Sequence, residues 1–210
     1  MLKKVIIVIL LVLLVGCRSA KSEVEQFKEE YESLNDSSNI QVEISLDSKV
    51  KFLEKDKIVD ALSLGTHVVY LGWPTCPVCR NVIGVLLKEI DKYSGINLYY
   101  YNLKEIRDKV EQSIEDEDSQ LYDEIVNVIE LSDNDLTDFP FFNNGKRKIP
   151  AHGIYFVKDG EIIAIHTNTV EGHIDDFEPL SQDEQSILAE IFDNYLDKLI
   201  EKNPLGCSGC

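Results

Sequence analysis

Val68-Val69-Tyr70-Leu71-Gly72 runs straight into Trp73-Pro74-Thr75-Cys76-Pro77-Val78-Cys79-Arg80. The first part is a short continuous apolar run, which suits a central strand buried on both faces. The second opens a helical stripe made of Val78, Val82, Ile83, Leu86, Leu87 and Ile90. Gly84 falls inside that helix at a cost of about 1 kcal/mol against Ala, so close packing is expected there. Gly95 punctuates, and residues 96–101 read as the next buried strand. Strand, helix, strand predicts a parallel unit with a right-handed crossover.

The place of the cysteines in this unit gives them a chemistry. Cys76 falls at the helix start, where unpaired backbone N–H groups and the helix dipole stabilise a thiolate. A thiolate is the attacking species in disulfide exchange. Pro77 takes the first helical position, where its missing N–H does no harm. Cys79 lies about one turn further on and more enclosed, placed to attack a mixed disulfide and release the product. The same spacing also reads as half of a zinc site, with Cys207 and Cys210 as the other half. The two pairs stand much further apart than the roughly 15–20 residues of a zinc ribbon. A static structural disulfide is a third reading. His67, His152, His166 and His173 show no spacing that points to a metal site or a Cys–His dyad, and no metal or cofactor is expected.

Outward from this unit, Val24, Phe27, Tyr31 and Leu34 recur at helical spacing behind a Ser22/Glu25 capping box. Ile40, Val42, Ile44 and Leu46 alternate with polar residues and read as a half-buried strand. Residues 52–64 read as a helix stopped by Gly65. Residues 104–147 carry the acidic cluster Glu115-Asp116-Glu117-Asp118 and two weak stripes, Ile106/Val110/Ile114 and Leu121/Ile125/Ile129. They read as a helical insertion whose acidic run is a solvated face or a recognition lid. Residues 151–157 and 161–165 read as strands joined at Asp159-Gly160, a strong hairpin signal. Ser181 and Glu184 form a second capping box before the stripe Ile187, Leu188, Ile191, Phe192, Tyr195, Leu196, Leu199 and Ile200.

At the N-terminus, Lys3 and Lys4 precede the apolar run 5–15, too short for the roughly 20 residues of a spanning helix. A short basic segment before a short apolar core reads as a secretory signal. The run ends Leu14-Val15-Gly16-Cys17, which resembles the lipobox of bacterial lipoproteins. That resemblance implies lipidation of Cys17 and a membrane anchor on the extracytoplasmic face, where disulfides persist.

The order βαβ, insertion, Ile149-Pro150 step, hairpin and final helix resembles the thioredoxin fold, and Cys76-Pro77-Val78-Cys79 resembles its redox motif. The expected class is therefore α/β: a thioredoxin fold with an N-terminal helical extension and a helical insertion before a cis-Pro hairpin. The stretches EYESLN, GWPTCPVCRN and FVKDGEIIAIHTNTV, with the terminal cysteine pair, are similar to Gram-positive thioredoxin-like lipoproteins, the bacteriocin-transport accessory proteins. The resemblance implies that Cys76 attacks and Cys79 resolves. It implies that Pro150 is a cis-proline facing the thiols, which would bring His152 close to them, that Ile149 offers its backbone to an extended substrate, and that Trp73 is the aromatic beside the site. Tyr70 stands where many thioredoxins carry a buried acid, and Thr75 where a tryptophan often precedes the first cysteine. The implied organisation is a leader over 1–16, a tether and helix over 17–39, a thioredoxin-like domain over 40–202 and a tail over 203–210. Cys207 and Cys210 in that tail are a second redox pair, a local disulfide or an adventitious metal site.

With 38 acidic residues against 21 basic, the chain carries a net charge of −17. Such a field repels phosphate backbones, so no nucleic-acid partner is expected. Two function classes follow. One is a membrane-anchored thiol–disulfide oxidoreductase with disulfide- or dithiol-bearing protein clients and a redox partner protein. The other is a non-catalytic accessory or binding module of an export system.

Overall fold

A computed structural model describes residues 20–132, 134 and 139–201. The leader, Cys17 and the tail with Cys207 and Cys210 lie outside the described residues. Within them the helices are α1 (Glu23–Glu32), α2 (Ile58–Ser63), α3 (Pro77–Asp91), α4 (Lys104–Glu111), α5 (Glu117–Glu130) and α6 (Gln182–Ile200). The strands are β1 (Val50–Phe52), β2 (His67–Gly72), β3 (Leu98–Asn102), β4 (Gly153–Lys158) and β5 (Glu161–His166). They form one mixed sheet in the order β1-β3-β2-β4-β5. β3 pairs in parallel with β1 and β2, and β4 runs antiparallel to both β2 and β5. The protein is thus α/β with a five-stranded mixed sheet.

Each face of the sheet is covered by helices, as a sheet apolar on both faces requires. Val68 and Tyr70 pack with α1, α3 and α6, whereas Val69 and Leu71 pack with α2, α4 and α5. Asp159 and Gly160 both take positive φ (51° and 85°), the geometry of a tight hairpin turn whose twist matches the strands. Gly65 ends the α2 segment with φ 77°. Both capping boxes form, at Ser22/Glu25 and Ser181/Glu184.

Several expectations change. Residues 40–46 form no strand; the edge strand is β1, further along. The alternation is real, since Val42 and Ile44 are buried. Their backbone groups, however, bond to side chains. Asn35 donates to the Val42 carbonyl and accepts its N–H (2.7 and 2.9 Å). Glu32 accepts the Ile44 N–H (2.8 Å) and Lys28 donates to the Ile44 carbonyl (2.7 Å). The predicted helix over 52–64 begins later, because Phe52 belongs to β1 and a 3-10 turn (Lys55–Lys57) precedes α2. In the insertion, Tyr122 rather than Leu121 joins Ile125 and Ile129 in the core, and Ile114 is exposed. The acidic cluster divides by role. Asp116 caps α5, Asp118 is buried in ion pairs with Lys55 and Lys109, and Glu115 and Glu117 face solvent.

Two consecutive buried side chains on α3 fix the periphery. Arg80 donates to the carbonyls of Ile40 (2.7 Å), Tyr31 (2.9 Å) and Pro74 (3.1 Å) and to Asn35 Oδ1 (2.6 Å). Asn81 donates to the carbonyls of Asp176 and Glu178 and accepts the Leu180 N–H (3.2, 3.0 and 3.1 Å).

Close packing does not explain Gly84. A Cβ built there meets nothing within 4 Å, because the residue opens onto a groove of about 180 Å³ lined by Ile40, Val42, Lys88 and Leu180. Gly84→Ala is therefore expected to stabilise the fold by about 1 kcal/mol, read as a higher urea midpoint at unchanged slope.

Candidate functional site

Helix α3 begins at the dithiol. Cys76 is its N-cap, with extended backbone (φ −84°, ψ 123°), and its Sγ accepts the Cys79 N–H at 3.3 Å. A sulfur thus takes the place that a Ser or Asp oxygen holds at an ordinary helix start. Pro77 follows at the first helical position. The Cys76 N–H donates to the Trp73 carbonyl (3.2 Å), which closes the turn between β2 and α3. Both thiols are free; Cys76 is 8% exposed and Cys79 is fully buried. The Cys79 sulfur also lies 3.0 Å from the Ala151 carbonyl oxygen, a second acceptor within reach of its thiol proton.

The two sulfurs sit in opposite electrostatic settings. Cys76 is lowered to about 5, chiefly by the hydrogen bond from the Cys79 thiol. Burial works against that shift; the His152 imidazole and the Cys79 backbone N–H reinforce it. Cys79 is pushed well above the ordinary thiol range, first by burial and then by its hydrogen bond with Cys76 and the charge there. These surroundings favour a thiolate at the outer sulfur and a thiol at the inner one. Thiolate and thiol in one C-x-x-C give a nucleophile and a protected second sulfur.

The sequence brought His152 to the site only through a cis Pro150; the structure sets it beside Cys76 with that bond trans. His152 is 9% exposed, and neither ring nitrogen has a hydrogen-bond partner among the described residues. Its imidazole lies beside Cys76 and favours the thiolate. The hairpin register holds the signal that could have found it. Counting back from Asp159-Gly160, β4 starts at Gly153 opposite Leu71, so His152 is the residue that enters the sheet beside the end of β2.

The expectation for Ile149 and Pro150 is corrected. The Ile149–Pro150 bond is trans, as is every peptide bond among the described residues. A trans X–Pro bond is intrinsically favoured by about 0.5–1 kcal/mol, and the flanking bonds here hold the segment in place. The Ile149 N–H donates to Tyr122 Oη (2.7 Å), and its carbonyl accepts from Arg107 Nε (3.1 Å). Ile149 is buried in the core layer of α4 and α5, so its N–H is not free to pair with an extended substrate. Trp73 is also buried, with the Arg107 guanidinium 5.2 Å over its ring.

Behind Cys79 lies a cluster of tyrosines. Tyr70, where an acid was the familiar alternative, is fully buried, and its hydroxyl is 2.8 Å from that of Tyr31 on α1. Both phenols are raised well above their usual value, first by burial and next by the repulsion an ionised Cys79 would exert on a phenolate there. Tyr100 stacks on Tyr70 and donates its hydroxyl to Glu30 at 3.1 Å. No group of three or more His, Cys, Asp or Glu is arranged to hold a metal ion among the described residues.

His152→Ala is expected to move the pH midpoint of Cys76 alkylation upward from about 5, toward the free-thiol value near 8.5. The check is the pH dependence of iodoacetamide labelling, resolved by peptide mapping. Comparison of the chain with protein-family models, with curated proteins and with solved structures returned no match.

Proposed function

We propose that this chain is a thioredoxin-like thiol–disulfide oxidoreductase, tethered through a lipidated Cys17 to the extracytoplasmic face of a bacterial membrane, that exchanges disulfides with exported proteins. The observation that carries this reading is the paired asymmetry of Cys76 and Cys79. One sulfur caps α3 and is held as a thiolate, while the other is enclosed one turn on and held as a thiol. The sheet order and the position of the dithiol between β2 and α3 are compatible with a thioredoxin-like fold.

The chemistry proceeds in two exchanges. The Cys76 thiolate attacks a client disulfide; one client sulfur leaves with the electron pair and takes a proton, and the other stays bonded to Cys76. Cys79 then gives up its proton and attacks Cys76 Sγ, which releases the second client sulfur as a thiol. The reverse sequence oxidises a client dithiol, and a redox partner protein resets the pair. A polypeptide client suits the surroundings: the loop that Asn81 holds against α3 exposes Ile174 (98%) and Phe177 (75%) among Glu171, Asp175, Asp176 and Glu178. Among the described residues no helix is long and apolar enough to cross a membrane.

The second reading is a non-catalytic binding module, and the near-complete burial of Cys76 favours it. Turnover of a model disulfide separates the two. The oxidoreductase reading expects turnover by the native chain and loss of at least about a hundredfold in Cys76→Ser. Cys79→Ala should instead accumulate mixed disulfides at Cys76. No turnover by the native chain, with no mixed disulfide in Cys79→Ala, favours the binding module.

A further inference from the structure

Resolution of the mixed disulfide places negative charge on the sulfur of Cys79, the more deeply buried of the two thiols. The Ala151 carbonyl oxygen 3.0 Å from this sulfur is an acceptor and cannot stabilise a thiolate. A buried anion without hydrogen-bond donors is strongly disfavoured. Among the described residues no carboxylate or ammonium bonds to this thiol. The nearby Glu30 is engaged by Tyr100.

The donors that face Cys79 are the Tyr70 hydroxyl and the Trp73 backbone N–H, and of these only the hydroxyl is a side chain. Tyr70 lies on the face of β2 that packs on α3, in one buried cluster with Cys76, Cys79 and Tyr31. Gly72 is two residues further along the same strand face, and a Cβ there would overlap the Tyr70 ring and hydroxyl. The Tyr70 side chain therefore lies over Gly72, toward the end of β2 that leads into the dithiol. Its hydroxyl meets the Tyr31 hydroxyl at 2.8 Å, and both side chains are fully buried. If Tyr31 donates to Tyr70, the Tyr70 proton is left to donate to Cys79. Tyr31 comes from α1, outside the βαβ unit that carries the motif. Its own carbonyl is held by Arg80, one residue after Cys79.

We propose that the Tyr31–Tyr70 hydroxyl pair stabilises the Cys79 thiolate in the resolving step, so that helix α1 completes the redox site. The proposal rests on the disulfide-exchange reading above. Cys79–SH loses its proton, the Cys79–Cys76 S–S bond forms, and the Cys76–client S–S bond breaks. The client sulfur leaves with the electron pair and ends with the proton. The tyrosines donate hydrogen bonds and keep their own protons, in keeping with phenols whose ionisation burial opposes. In this proposal Tyr70 donates to the reacting sulfur, and Tyr31 is a positioning residue that orients Tyr70.

The test uses the full chain carrying Cys17→Ser, Cys207→Ser and Cys210→Ser, so that only Cys79 can resolve. Ellman's reagent gives a Cys76–thionitrobenzoate adduct, and thionitrobenzoate release is followed across pH. Tyr70→Phe should slow release about tenfold, the scale of one hydrogen bond to a charged group, and move its pH midpoint upward. Tyr31→Phe should act in the same direction with a smaller effect. The prior attack of Cys76 on the reagent should change less than about twofold in both variants. The double Tyr31→Phe/Tyr70→Phe leaves no orphaned hydroxyl, and it carries the test if a single variant is destabilised. Release at the native rate and pH midpoint in the variants overturns the tyrosine assignment alone. Failure of the parent chain to release thionitrobenzoate through Cys79 overturns the disulfide-exchange reading itself.

Discussion

The hydrogen bond from the Cys79 N–H to Cys76 Sγ closes the first turn of α3 and joins the reactive sulfur to the fold. A helix start leaves backbone N–H groups without partners, and each must be met by something. Here a sulfur meets one of them, so the group that caps the helix is also the group that the helix N-terminus polarises. The geometry depends on β2 ending where it does. Its apolar run is locked between β3 and β4 and covered on both faces, so Gly72 and the Trp73–Cys76 turn deliver the sulfur to a fixed place. From the same helix, Arg80 and Asn81 reach outward and bind the segments on either side of the site.

Burial and polarity then split two identical side chains. Cys76 has a backbone donor, a thiol donor and an imidazole around it, and each favours the charged form. At Cys79 burial and the neighbouring Cys76 sulfur favour the neutral form and outweigh the Tyr70 hydroxyl and the Trp73 N–H. The contrast arises within one helical turn, from the direction of the helix. The N-terminal sulfur looks outward along the dipole, and the next one turns toward the core. Net charge works the other way, since a chain at −17 disfavours any further anion, so local donors must outweigh the global field at Cys76.

What the sequence revealed and what it hid follow from the range of each interaction. β2, α3, the Asp159-Gly160 hairpin and both capping boxes depend on neighbours within a few positions, and their residue patterns carry them. The 40–46 segment shows the limit. Alternation reports which side chains are buried, and Val42 and Ile44 are buried. It does not report whether the backbone bonds to a strand or, as here, to Asn35, Glu32 and Lys28. Gly84 is similar: its place in the helix was legible, but the open groove beside it depends on segments distant in sequence. At the site, Cys76 and Cys79 were legible from spacing and context. Pro150 drew attention as the motif-like residue, and His152 only through a cis bond there; the bond is trans, yet His152 follows the start of β4 to the side of Cys76. Tyr31 was legible only as part of an amphipathic stripe. Its hydroxyl contact with Tyr70 spans 39 positions, which no local pattern records.

The central claim is that Cys76 is ionised at neutral pH while Cys79 keeps its proton. Reduction of the Cys76–Cys79 disulfide takes up two electrons. Below the Cys76 pKa it also takes up two protons, and above it only one. Each proton per electron pair contributes about 30 mV per pH unit, so the potential falls with rising pH at a slope that counts the protons. The direct measurement is the equilibrium reduction potential of this pair as a function of pH. The account predicts a slope of about 30 mV per pH unit between about pH 6 and 8, steepening to about 59 mV below about 5. A single slope of about 59 mV per unit up to pH 8 contradicts it, because both sulfurs would then be thiols at neutral pH.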